Sequence, residues 1–279
     1  MINYHFHDEF SSDGMGTLAL HCAAAVDAAG DGGPIRLCVT NHAEAMDERG
    51  AWHADLDEMI PRFRRSAEAV RAAAARFPEI ELRFGIELEY RREWLPAYEH
   101  LLDELPFDFV LGSVHIVDGL NISGGDGVDD FFRPRSLDEA YEAYFREVAE
   151  LVTWGGFDVV AHFDLIKRYG HRHYGAYDPH RFRPVIEPIL AEMARREIGL
   201  EINTSGVFQA PGVPYPASEI LEWAREAGVG FLTLGSDSHA PHQLGRGLAE
   251  GVRLADDTGW PAFTVYEQRR PAGRVEVGP

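Results

Sequence analysis

His5 and His7 stand two residues apart near the start of the chain, and Asp237 and His239 repeat that spacing near its other end. On an extended strand, residues i and i+2 project from the same face, so each pair can aim two ligand atoms at one point. Asp13, His42, Glu87, His115 and His162 lie between them and are equally able to hold a metal. Nitrogen and carboxylate donors together suit zinc, manganese or iron, whereas calcium takes oxygen ligands. No cysteine joins the set, which excludes a structural thiolate zinc site. A catalytic zinc ion needs about three protein ligands plus water. Six histidines, two aspartates and a glutamate are too many for one ion, so two or three are implied. In such sites one carboxylate commonly bridges, and the ions clamp the attacking and leaving oxygens of an in-line displacement.

These donors belong to the ends of regular elements. Apolar, β-branched runs predict strands over residues 2–7, 35–40, 81–87, 109–114, 157–162, 199–202 and 231–236. Helix-period segments between and after them predict helices over 18–29, 55–77, 93–104, 136–153, 181–196, 217–227 and 244–257. Strand and helix in alternation call for parallel strands joined by crossovers. Seven such units predict an α/β barrel, closed or nearly so. An open doubly wound sheet is the alternative, but the Gly-rich phosphate loop that usually follows its first strand is missing. Barrel enzymes carry their chemistry at the C-terminal ends of strands. All seven predicted strands end in a polar or metal-capable residue. One histidine at a strand end is ordinarily a rim or core residue; seven ends converging on one rim are a site.

Other residues near these ends have two readings each. Lys167 and Arg168 follow the fifth strand and could bind an anionic group or form a solvated loop pair. Asn203 and Ser205 follow the sixth and could orient substrate or cap the next turn. Asp8 and Glu9 read as rim. His171, His173 and His180 fall in a long segment, 169–180, read as a loop or lid, and 118–135 is a second long loop. His21, His53, His100 and His242 lie on helices or turns and are not expected to be ligands.

The chain has 279 residues and a formal net charge of −20. That charge repels nucleic-acid phosphates, and no basic stripe reverses it. Cys22 and Cys38 read as buried apolar residues, and no apolar run is long enough for a membrane span. The expectation is a cytoplasmic protein with a small phosphate-ester substrate, no nucleic-acid partner and no membrane partner. One domain over 1–260 is expected, followed by a flexible tail over 261–279 rich in Pro, Gly and Arg.

The segments around these residues resemble the polymerase and histidinol phosphatase (PHP) superfamily, and within it the histidinol-phosphatase branch. The likeness rests on residues 5–7 with 11–14, and on 85–87, 111–115, 164–170, 200–206 and 234–239. The stretches after the fifth and sixth strands are the most specific. The resemblance implies a distorted seven-stranded (β/α)7 barrel with a trinuclear centre. By motif, His5, His7, Glu87 and Asp237 would hold one ion. Glu87, as a bridge, would share a second with His115 and His162, and Asp13, His42 and His239 would hold a third. Glu87, Asp237 and His239 would act in catalysis, and Arg168, Asn203 and Ser205 would bind substrate. The implied activity is metal-dependent hydrolysis of L-histidinol phosphate in histidine biosynthesis. A phosphodiesterase or nuclease of the same superfamily, another small phosphate monoesterase, an amidohydrolase-type barrel and a non-catalytic binding module are the rivals. One departure stands out: Asn41 precedes His42 where such proteins usually carry an acid, which puts the support of His42 in question.

Overall fold

The computed structural model describes residues 1–30, 33–46, 52–125 and 127–277. Seven parallel strands follow one another around a single sheet: β1 (Ile2–Asn3), β2 (Ile35–Val39), β3 (Ile80–Glu89), β4 (Phe109–Ser113), β5 (Val159–Val160), β6 (Gly199–Asn203) and β7 (Leu232–Gly235). The sheet returns on itself. Tyr4 N–H donates to the Leu234 carbonyl, Asp237 N–H to that of His5, and His7 N–H to that of Ser238. These bonds join β1 to β7 and make the distorted seven-stranded barrel expected.

Strands β1 and β5 are shorter than the apolar runs that predicted them. After Asn3 the backbone stays extended but alternates its partners between Leu234, Ser238 and Thr40, so no regular ladder continues. After Val160 the chain turns at His162, whose φ is 28°. A positive φ is costly for a side chain with a Cβ, and such strain gathers at functional sites. Asp237, at the end of β7, shares it with φ 50°.

Helices α1 (Leu18–Ala29), α2 (Leu56–Arg76), α3 (Leu95–Glu104), α4 (Gly127–Phe132), α5 (Leu137–Trp154), α6 (Lys167–Tyr174), α7 (Arg183–Arg196), α8 (Ser218–Ala227) and α9 (Leu248–Asp257) connect and cover the strands. Their starts are written in side chains. Thr17 caps α1, Asp55 caps α2, and Ser136 with Glu139 forms a reciprocal capping box on α5. Helix α9 begins four residues later than predicted, because Gly247 enters at φ 73° directly against Thr204. None of the described helices is long and apolar enough to cross a membrane.

Three expectations are corrected. The segment 169–180 is not a loop: α6 runs through Tyr174, and a 3-10 turn covers Pro179–Phe182. The segment 118–135 contains α4, and its residues Leu120–Asn121 pair with the preceding Ile116–Val117 in a two-stranded ribbon. The tail beyond residue 260 forms an antiparallel hairpin, β8 (Ala262–Glu267) with β9 (Arg270–Glu276). Phe263, Val265 and Tyr266 of β8 are buried in the same core as the barrel strands. Its two-residue turn is Gln268–Arg269, at φ 50° and 60°. Asp108 accepts from both of these backbone N–H groups, and the Arg269 guanidinium reaches Asp158 at 3.0 Å.

Candidate metal centre

All nine predicted ligands meet at the C-terminal rim of the barrel. His5 Nε2 lies 3.2 Å from His7 Nε2 and 3.2 Å from Glu87 Oε2. Asp237 Oδ1 stands 3.6 Å from the former nitrogen and 3.3 Å from the latter. On the other side of Glu87, His162 Nε2 is 3.0 Å from Oε1, and His115 Nε2 is 3.2 Å from His162 Nε2. Oε2 of Glu87 therefore faces His5, His7 and, at 3.2 Å, Nδ1 of His42, whereas Oε1 faces His162 and His115. A third group forms where Asp13 Oδ2 lies 3.0 Å from His239 Nε2 and 3.7 Å from His42 Nε2. The ring of His7 stacks against that of His42 at 4.5 Å and that of His239 at 4.2 Å, which ties this group to the first.

The outer ring nitrogens explain why the inner ones converge. His5 Nδ1 is 2.7 Å from Glu201, His115 Nδ1 is 2.9 Å from Glu89, and His239 Nδ1 is 3.0 Å from the Asp237 carbonyl. A carboxylate or carbonyl on Nδ1 holds the proton there and leaves the Nε2 lone pair pointing inward, as metal-ligating histidines require. Two Nε2 lone pairs facing each other at 3.2 Å repel unless a proton or a cation sits between them. The charge balance acts in the same direction. Burial alone would raise the Glu87 carboxyl pKa, but the imidazoles of His42 and His5 outweigh it and hold Glu87 well below the carboxylate range. Burial would lower the His42 pKa, yet Glu87 and Glu44 raise it to about 10. The carboxylates thus favour protons on His5 and His42, and the cluster calls for positive charge that divalent cations would supply. Donor chemistry, lone-pair direction and charge all fit such ions.

Three supporting carboxylates escaped the sequence reading. Glu89 accepts from the His115 ring, the His115 N–H and the Ile116 N–H, at 2.7 to 2.9 Å. Glu201 accepts from the His162 N–H at 2.9 Å as well as holding His5. Glu44 stands 3.2 Å from His42 Nδ1. The last resolves the departure at Asn41: the acid comes three residues later, from the loop after β2, while Asn41 bonds the Asp8 N–H and carboxylate. The signal for Glu89 was available, since it lies two residues beyond Glu87 on the same face of β3. Gly235 is also part of this shell. A Cβ there would fall 2.3 Å from Glu201 Oε1 and 2.3 Å from His5 Cβ, so only glycine leaves room for the pair.

Arg62 on α2 supports the rim from outside. It donates 2.8 Å bonds to the carbonyls of Phe10 and His42, and another to that of Ala43. One guanidinium thereby fixes the loops after β1 and β2, which carry Asp13 and His42.

A cavity of about 600 Å³ opens above the cluster, lined by Asp13, His42, His115, His162, Asp237 and His239 and walled by Leu165, Arg168, Ser205, Phe208 and Arg246, among others. Arg168 and Ser205 thus face it. Asn203 is fully buried below. Its amide donates to Glu201 at 3.2 Å and Asp237 at 3.3 Å, while its oxygen accepts from Ser205. With its side-chain amide engaged by Glu201, Asp237 and Ser205, it braces the site from beneath. Lys167 turns inward too, pairing with Asp164 at 3.0 Å and donating to the Pro214 carbonyl. Burial pushes the Asp164 carboxyl pKa up and the Lys167 ammonium pKa down, beyond what their pairing restores. The pair fixes position at a cost in desolvation. Asp8 is not rim but fully buried. Of the other histidines, His21 is buried on α1 with one ring nitrogen 3.1 Å from the Thr17 carbonyl, and His173 stacks on Phe132 and faces Asp129 at 3.4 Å.

The chain is similar over most of its length to several known proteins. A probable histidinol-phosphatase of Deinococcus radiodurans is 28% identical over 271 residues, covering 95% of this chain and 96% of that protein. The histidinol-phosphatase of Lactococcus lactis is 26% identical over 239 residues, covering 85% and 84%. Among solved structures, the histidinol phosphate phosphatase of Lactococcus lactis, complexed with zinc, L-histidinol and phosphate, superposes with a TM-score of 0.80. It is 21% identical, with 97% of this chain and 98% of that one covered. A putative histidinol phosphatase from Listeria monocytogenes gives 0.72 at 21% identity, covering 89% and 98%. The sequence pattern of the PHP domain extends over residues 3–205, from the first histidine pair to the loop after β6, and the chain belongs to that family.

Proposed function

We propose that the chain hydrolyses L-histidinol phosphate to L-histidinol and inorganic phosphate, a step of histidine biosynthesis, with two or three divalent transition-metal ions. The observation that carries the reading is the buried Glu87, whose Oε2 faces His5, His7 and His42 while its Oε1 faces His162 and His115. The full-length likeness to histidinol-phosphatases and the ligands of the Lactococcus lactis structure support the choice of ester.

His5, His7, Glu87 and Asp237 would hold one ion, Glu87, His115 and His162 a second, and Asp13, His42 and His239 a third. When bound, such ions polarise the phosphoryl group and make water nucleophilic at neutral pH. The chain supplies the rest. Arg168 presents a guanidinium whose fork matches two phosphate oxygens. Asn203 and Ser205 hold Oδ2 of Asp237, leaving Oδ1 toward His5 and His7. Water adds to phosphorus, the ester P–O bond breaks, and the proton lost by water reaches the departing alkoxide. Asp237 and His239 line the cavity where this exchange would take place. The net charge of −20 disfavours a polynucleotide and suits the cationic amine of histidinol.

The test is product analysis after metal reconstitution with zinc, manganese or iron. Inorganic phosphate and L-histidinol should appear in equal amounts. Absence of both products with every metal would refute the reading.

A further inference from the structure

Two cationic side chains line the cavity among the described residues, Arg168 and Arg246. They reach it from opposite sides of the loop after β6, Arg168 from the first turn of α6 and Arg246 from the segment between β7 and α9. No carboxylate pairs with either among the described residues. Their guanidiniums lie instead over aromatic rings, Tyr169 at 5.2 Å and Phe208 at 3.8 Å.

Arg246 is fixed to the metal centre by its backbone. Thr204 Oγ1 donates to its carbonyl at 2.8 Å, one residue from Ser205, which bonds Asp237. Arg246 N–H donates to the Gln243 carbonyl, and the Gln243 side chain accepts from the N–H of His239. Phe208 is 50% exposed at the same wall, an unusual position for a large apolar ring. Stacking occupies one face of the guanidinium and leaves its in-plane N–H donors free, the edge that binds planar pairs of oxygens.

We propose that Arg246, oriented by the Phe208 ring, is a second phosphate-binding guanidinium that acts with Arg168 and sets affinity for the phosphoryl group. The proposal rests on the phosphoester reading but not on the identity of the ester. An ammonium or imidazolium would be repelled by Arg246, so the phosphate is the part of a cationic amino-alcohol ester that this side chain can take.

The experiment measures binding of inorganic phosphate by calorimetry on metal-loaded protein, with variants matched to the parent in metal content. It also measures KM and kcat for p-nitrophenyl phosphate. Arg246→Ala should weaken phosphate binding and raise KM by about tenfold, with kcat within about threefold, as for loss of a contact made equally in ground and transition states. Arg246→Lys, which keeps the charge but not the fork, should fall between. Phe208→Ala should weaken binding by a smaller factor, and the double variant should be no worse than Arg246→Ala alone. Phosphate affinity within twofold of the parent in Arg246→Ala overturns the assignment. So does a Phe208→Ala effect that persists undiminished when Arg246 is already absent, since the ring would then act by itself. If histidinol phosphate proves a poor substrate while Arg246→Ala still weakens phosphate binding, the proposed ester is wrong and this assignment stands.

Discussion

Glu87 can bridge only as a carboxylate, with one oxygen toward His5 and the other toward His162. In Glu87→Gln an amide nitrogen replaces one of those oxygens and the charge is lost. Turnover should fall by on the order of a thousandfold, near the scale for losing a main electrostatic element of a site, while circular dichroism stays at that of the parent. Near-parental turnover in the folded variant would remove Glu87 from the bridge. Lys167 and Arg168 are neighbours with opposite fates. Arg168→Ala should raise KM for the phosphate ester, losing a charged hydrogen bond of about 1.5–3 kcal/mol. Lys167→Met should leave Asp164 buried without its partner and destabilise the fold by about 3–5 kcal/mol, measured by denaturant unfolding. Replacing Asp164 by Leu in the same chain should restore much of that loss. Sequence alone could not separate the two residues, because adjacent cations look alike until a helix start turns one inward. Asn203 was ambiguous for a similar reason: a polar residue at a strand end can face the cavity or brace it from below, and only burial distinguishes these.

At the level of elements, the convergence of the candidate ligands was legible because a barrel strand ends where its apolar run ends, and a polar residue at that point has few other places to go. Of the supporting carboxylates only Glu89 carried a signal, its place on the face of Glu87; Glu44 and Glu201 did not, since an acid that accepts from an imidazole looks in sequence like any surface acid. The hairpin β8–β9 was missed because its turn is Gln268–Arg269 rather than the Asn-Gly or Asp-Gly pair that normally marks a two-residue turn. Bonds from Asp108 and Asp158 hold that turn, and no local pattern reveals them. Gly235 shows how an element can be tuned for the site. Gly235→Ala must push apart Glu201 and His5, and it should lower metal content and thermal stability together, as read by elemental analysis and a melting curve. A variant that keeps both would mean that the strand yields without disturbing the pair.

For the whole molecule, a cluster of buried like charges and facing lone pairs is expensive unless cations neutralise it. Ions that bind the folded chain and not the unfolded one stabilise it by mass action. Exhaustive chelation should therefore lower the melting temperature, and zinc or manganese should restore it, with two or three ions per chain by elemental analysis. The central claim is the substrate. A cavity of about 600 Å³, with an acidic rim and arginines on its walls, is suited to one phosphate on a small cationic alcohol. The direct measurement is a comparison of specificity constants on one metal-loaded preparation with histidinol phosphate, p-nitrophenyl phosphate and single-stranded DNA, and with Glu87→Gln as control. Histidinol phosphate should exceed p-nitrophenyl phosphate by at least about tenfold, roughly 1.4 kcal/mol in transition-state binding, with no detectable cutting of DNA and no activity in the control. A nucleotide or oligonucleotide cleaved faster than histidinol phosphate would contradict the account.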